Sequence, residues 1–88
     1  MNEPISIIIV DDHAVVRSGL RAYLSSSTEF VVIGEAASGE EAIDLTRQNL
    51  PDVVLIDLIL PGMDGSTATC IIKRIIPRTK IVVHNIVT

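Results

Sequence analysis

Two acidic residues, Asp11 and Asp12, stand side by side directly after the apolar run Ile7-Ile8-Ile9-Val10. Neighbouring like charges oppose each other's ionisation, so a core strand that ends in such a doublet needs a reason. A third carboxylate, Asp57, ends another apolar run in the stretch LIDL. Parallel strands finish on one edge of a sheet. If the first and third strands are neighbours, all three carboxylates converge there, at the edge where open α/β sheets carry their sites. Such a group repels itself strongly in a partly buried place. Either one member is protonated or a cation is bound, and a hard, oxygen-seeking Mg²⁺ suits a pocket of carboxylates, backbone carbonyl and water.

The elements that must position these residues follow from pattern. Residues 5–10 (ISIIIV) are a continuous apolar, β-branched run and read as a strand buried on both faces. Residues 13–24 place Val16, Leu20 and Leu24 on one helical face, with Asp12 where an N-cap belongs. Residues 30–36 (FVVIGEA) are a second strand. Residues 38–50 are a second helix, opened by Ser38 and Glu41 at capping-box spacing and ended by Pro51. Residues 52–58 are a third strand, and 59–65 (ILPGMDG) have loop chemistry. Residues 66–76 form a third helix with Ala68, Ile71, Ile72, Ile75 and Ile76 on its apolar face, stopped by Pro77. Residues 80–87 are a fourth strand. The β-α-β-α-β-α-β order calls for a parallel sheet with right-handed crossovers, in one domain spanning 1–88.

Composition narrows the function classes. The net charge of −4 argues against direct contact with nucleic acid. Aromatics make up 2% of the chain, so its core is built from Ile, Val, Leu and Ala. Cys70 is the one cysteine, which leaves no disulfide framework and no zinc-cysteine cluster. No apolar run approaches the roughly 20 residues of a membrane span, and the N-terminus has no signal-peptide pattern, so a cytoplasmic protein is expected.

IVDDH (9–13), followed two strands later by LIDLILPGMDG (55–65), resembles the receiver domain of two-component response regulators. VDDHAVVRSGL with GEAASGEEAI is similar in particular to receivers of the NarL/LuxR class. The resemblance runs from about Ile5 to about Val83. It implies a flavodoxin-like (CheY-like) doubly wound sheet in the order 2-1-3-4. It implies that Asp57 is the phosphoacceptor, attacking a phosphohistidine on a sensor histidine kinase. Asp12 matches the direct Mg²⁺ ligand, Asp11 the second acid acting through metal-bound water, and Ile59 the residue whose backbone carbonyl completes the metal site. Pro61 and Gly65 match the loop that shapes the pocket rim.

The sequence departs from this family in two places. Asn85 falls where receivers carry the Thr or Ser that answers phosphorylation. It retains an amide donor but no hydroxyl. The Lys that receivers carry after a fifth strand has no match, so the resemblance implies a receiver truncated after its fourth strand, without the DNA-binding output domain. An uncovered fourth-strand edge and a bare sheet face then predict a homo-oligomer.

Simpler roles are expected elsewhere. Asp64 reads as a turn residue, His13 as a structural helix start and His84 as an ordinary strand residue. Cys70 reads as core, Arg17, Arg21 and Arg74 as solvated, and Tyr23 as partly buried. Four functions compete: a phosphoacceptor receiver that assists its own phosphorylation without being a turnover enzyme; a receiver-like assembly module that no longer takes phosphate; a flavin-binding protein; and a phosphohydrolase. The acids after the first strand would repel a flavin phosphate. A phosphohydrolase wants an acid two residues after its nucleophile, and that position is Ile59.

Overall fold

Seven elements alternate along the chain: β1 (Ile5–Val10), α1 (Ala14–Ser25), β2 (Phe30–Ala36), α2 (Gly39–Asn49), β3 (Val53–Asp57), α3 (Gly65–Ile75) and β4 (Lys80–His84). The computed structural model describes residues 3–84. β4 is described through His84, and the expected continuation to 87 lies outside that range. The four strands form one parallel sheet in the order β2-β1-β3-β4, as the resemblance implied.

Chain direction across the sheet reverses once. The crossover from β1 to β2 moves one way, and those from β2 to β3 and β3 to β4 move the other. With crossovers of one hand, the reversal must put α1 on one face and α2 with α3 on the opposite face. Side-chain alternation agrees. Ile8, Val10, Val54 and Ile56 point to the α2/α3 side, where they form the core with Ala42 and Ala68. Ile5, Ile7, Val53 and Leu55 line the other side, beside Leu24 of α1. The central strands β1 and β3 therefore present apolar side chains to both faces, which is why their sequences are continuous apolar runs.

The helix starts show which local signals were decisive. Ser38 caps α2 by accepting the Glu41 N–H at 3.2 Å, and the Glu41 carboxylate reaches back past the cap to accept the Ala37 N–H at 2.6 Å, a capping box shifted by one residue. Asp64 is more than a turn residue: it is the N-cap of α3 and accepts the Thr67 N–H at 2.8 Å. Asp12 does not cap α1. The N-cap is His13, whose side chain makes no cap bond. The neighbouring Asp11 carboxylate takes the His13 N–H at 2.8 Å instead and so turns the chain out of β1.

Three side chains lie elsewhere than their sequence suggested. Cys70 is exposed, not core, and Tyr23 is 77% exposed. Arg17 is not free in solvent but held between Asp11 and Glu35.

At the edge of the sheet far from the strand ends, Asp52 joins three strands. Its Oδ2 accepts both the N–H and the hydroxyl of Ser6, its own N–H donates to Ser6 Oγ, and its carbonyl accepts the Lys80 N–H. Below it, the buried Thr79 hydroxyl donates to the Pro51 carbonyl at 2.9 Å.

Candidate metal and phosphoryl site

The sheet order places β1 beside β3, at the point where chain direction reverses. Asp11 and Asp57 therefore reach the same edge from adjacent strands. Asp57 ends β3 and is 5% exposed; Asp11 follows β1 and is 1% exposed. Asp12, one residue on, is partly exposed at the rim. One ligand atom each from Asp11, Asp12, His13 and Asp57 lies within 4.8 Å of all the others. The three carboxylates expected to meet do meet, and His13 joins them.

Each member is held by named contacts. The Asp11 N–H donates to the Ala36 carbonyl of β2 at 3.0 Å. Its carbonyl accepts Arg17 Nη1 at 2.7 Å, while Arg17 Nε donates to Glu35 at 3.1 Å. Its Oδ1 takes both the backbone N–H of His13 and His13 Nδ1, at 2.8 and 2.9 Å. His13 Nδ1 is also 3.1 Å from Asp12 Oδ1. The hydrogen bond to Asp11 and the charge of Asp12 raise the His13 pKa above its ordinary value; desolvation opposes them, and the charges of Asp11 and Asp57 add to the rise. The acid cluster thus favours the protonated form of the exposed imidazole.

Asp57 is fixed by the loop that follows it. Its Oδ1 accepts the Ile59 N–H at 3.0 Å. Ile59 itself is 73% exposed, so its backbone and not its side chain serves the pocket. The Gly65 N–H donates to the Leu58 carbonyl at 2.8 Å and closes the loop. A Cβ at Gly65 would overlap the Asp57 carbonyl and stand 2.6 Å from Leu58 Cα, closer than any side chain tolerates. Within the loop Pro61 is exposed and Gly62 takes a positive φ of 70°. Asn85 lies outside the described residues.

Two participants besides His13 were not foreseen. Arg17 was read as solvated, yet it anchors the Asp11 backbone. His84 was read as an ordinary strand residue, yet it pairs in register with Asp57 and sets its Nε2 3.6 Å from Asp11 Oδ2. Their sequence signals were faint: an arginine six residues after the acid, and a polar residue ending an apolar strand.

The donor set fits a hard divalent cation. Three carboxylates converge on one small region, two of them buried, with backbone groups beside them.

Comparison with known proteins bears on the family. A family model for the response regulator receiver domain matches residues 7–86. The response regulator protein VraR of Staphylococcus aureus is 44% identical over 77 residues, which cover 88% of this chain and 37% of that protein. The chain therefore spans little more than a third of such curated relatives. Among solved structures, a LuxR-family two-component response regulator from Aurantimonas superposes with a TM-score of 0.90 at 35% identity, covering 97% of this chain and 61% of that one. The signal receiver domain of NarL from Mycobacterium tuberculosis gives a TM-score of 0.88 at 34% identity, covering 93% and 66%.

Proposed function

The chain belongs to the response regulator receiver family of two-component systems, and from that premise we propose that Asp57 accepts a phosphoryl group from the phosphohistidine of a sensor histidine kinase. Mg²⁺ would be held by Asp11, Asp12, Asp57 and the Ile59 carbonyl. The observation that carries this reading is the convergence of three carboxylates from two neighbouring strand ends, with the nucleophile buried. When bound, the ion neutralises charge on the carboxylates and on the phosphoryl oxygens in flight.

The chain's own residues do the positioning. Asp57 Oδ1 is occupied by the Ile59 N–H, which orients the other oxygen as nucleophile. That oxygen forms the new O–P bond as the P–N bond of the phosphohistidine breaks. The electron pair returns to the imidazole, which takes a proton from solvent. Arg17 and Ala36 hold Asp11 in place meanwhile. The apolar side chain at position 59 supplies no acid to activate water, so the aspartyl phosphate is a signalling state and not a turnover intermediate. We place this module in the cytoplasm, in control of a DNA-binding output domain. No helix among the described residues is long and apolar enough to cross a membrane.

A second reading, an assembly module that no longer takes phosphate, draws on the apolar face beside α1. Intact mass after incubation with acetyl phosphate separates the two. We expect one phosphoryl adduct that requires Mg²⁺ and is lost in Asp57→Asn. No adduct on folded protein would overturn the phosphoacceptor reading in favour of the second.

A further inference from the structure

His84 reaches the pocket from β4, a strand that supplies none of the acids. It pairs in register with Asp57 across the β3–β4 ladder. Paired residues of parallel strands present their side chains to the same face, with the strands about 4.8 Å apart. The His84 side chain is 10% exposed, and neither ring nitrogen has a hydrogen-bond partner among the described residues. A buried polar group without a partner is costly and uncommon. The ring faces the acid pocket, with Nε2 3.6 Å from Oδ2 of the buried Asp11.

That distance leaves the donor uncommitted. A formed N–H···O bond measures roughly 2.7–3.2 Å, so Asp11 is near enough to orient the ring and too far to hold its proton. The carboxylates around it are divided. Asp11 Oδ1 is taken by the backbone N–H and Nδ1 of His13, while Oδ2 faces His84. Asp57 Oδ1 accepts the Ile59 N–H, which leaves its other oxygen to carry a phosphoryl group. An imidazole presents an N–H at Nε2 in its cation and in one of its two neutral tautomers, and a facing carboxylate favours that tautomer. The donors gathered for an ion are Asp11, Asp12, His13 and Asp57, and His84 stands beside that set without belonging to it. An N–H so placed suits the pocket's other guest, a phosphoryl group whose oxygens are strong acceptors.

We propose that His84 donates a hydrogen bond from Nε2–H to a phosphoryl oxygen on Asp57, both as the group arrives and while it stays. The inference rests on the phosphoacceptor reading above and adds a residue that touches the transferred group. The imidazole keeps its proton throughout. The O–P bond forms and the P–N bond of the phosphohistidine breaks as before, and no bond to His84 changes. A donor fixed by a strand and already stripped of water needs little reorganisation to meet charge that develops on the equatorial oxygens.

The test uses the wild-type chain labelled with ¹⁵N-histidine. The sequence has two histidines, so the ring spectrum contains two spin systems, assigned with His84→Leu. Spectra are recorded with Mg²⁺ alone and then with acetyl phosphate in excess, and the rate of adduct formation is followed by intact mass. We expect the His84 Nε2 resonance to move when acetyl phosphate is added, to stay put with Mg²⁺ alone, and to stay put under both in Asp57→Asn. We expect His84→Leu to slow adduct formation about tenfold or more with Mg²⁺ affinity by calorimetry unchanged. His84→Gln, which keeps a side-chain N–H, should retain most of the rate, and it carries the comparison if the leucine variant misfolds. An adduct on wild type with the His84 resonance unmoved, or a His84→Leu rate equal to wild type, overturns the inference and leaves Asp57 as acceptor. Equal slowing in both variants together with weakened Mg²⁺ binding also overturns it, since that marks a structural role. No adduct on wild type overturns the phosphoacceptor reading and this inference with it.

Discussion

Asp11 is worked from every side. Its amide is tied to β2, its carbonyl to Arg17 and one carboxylate oxygen to His13. Arg17 in turn spans Asp11 and Glu35 through two different guanidinium nitrogens, a fork that Lys cannot copy. Arg17→Ala and Arg17→Lys should therefore both weaken Mg²⁺ binding, by roughly three- to tenfold for about 1 kcal/mol of lost positioning. Calorimetry with Asp57→Asn as a reference reads this directly, and rescue by Lys would contradict it. Gly65 is the other single-residue constraint. A methyl there would collide with the Asp57 carbonyl and Leu58 Cα, which are backbone atoms that cannot swing aside, so the loop must move. Gly65→Ala should lower unfolding free energy by about 2–4 kcal/mol and impair metal binding together, as urea titration and calorimetry on one preparation would reveal. The three carboxylates were legible in the sequence because a charge at the end of an apolar strand is conspicuous. Arg17, His13 and His84 were not, since each draws its role from a partner that only folding supplies. Cys70 misled for a related reason: a cysteine among isoleucines reads as core, yet α3 turns it outward.

The elements were legible where two signals agreed. The apolar runs of β1 and β3 had the length and β-branching of buried strands, and α2 had both a capping box and a following proline. α1 was misread at its first residue because the acid that takes a local backbone N–H is Asp11, which accepts from His13, and the helix is capped one residue later than Asp12. The link between α1 and β2 was also invisible, since it joins Arg17 and Arg21 to Glu35 across a loop. The hydrogen bond from Arg21, assisted by its charge and by Arg17, holds the Glu35 carboxyl below its ordinary 4.5 against the opposing effect of burial. A carboxyl depressed in the folded state stabilises it above the unfolded value, and that contribution is lost as pH falls through the folded one. Wild type should therefore exceed Glu35→Gln in urea midpoint at neutral pH. The gap should close as the medium is acidified below about 4.5, and a gap independent of pH would exclude the pair as its source.

At the scale of the whole molecule the two faces of the sheet are unequal. α2 and α3 cover one, while α1 covers only part of the other. Ile5, Ile7, Leu24, Phe30, Val53, Leu55 and Val82 line an apolar groove of about 250 Å³ there. β4 stands at the sheet edge with Val82 and Val83 each about half exposed. Apolar area of this kind favours association, and sedimentation across a range of concentrations should show mass rising above that of a monomer. A constant monomer mass would refute it. The opposite end of the sheet carries the Asp52 clasp, and its consequence is one of parity. Successive strand residues face opposite ways, so a β3 displaced by one position against β1 would send the Asp57 carboxylate to the wrong face. A displacement of two would restore the face but draw Asp57 about 6.6 Å away from Asp11. Neither displaced arrangement lets Asp52 meet Ser6 by both its carboxylate and its amide. The clasp is an error check read at one end of the sheet for an alignment that matters at the other.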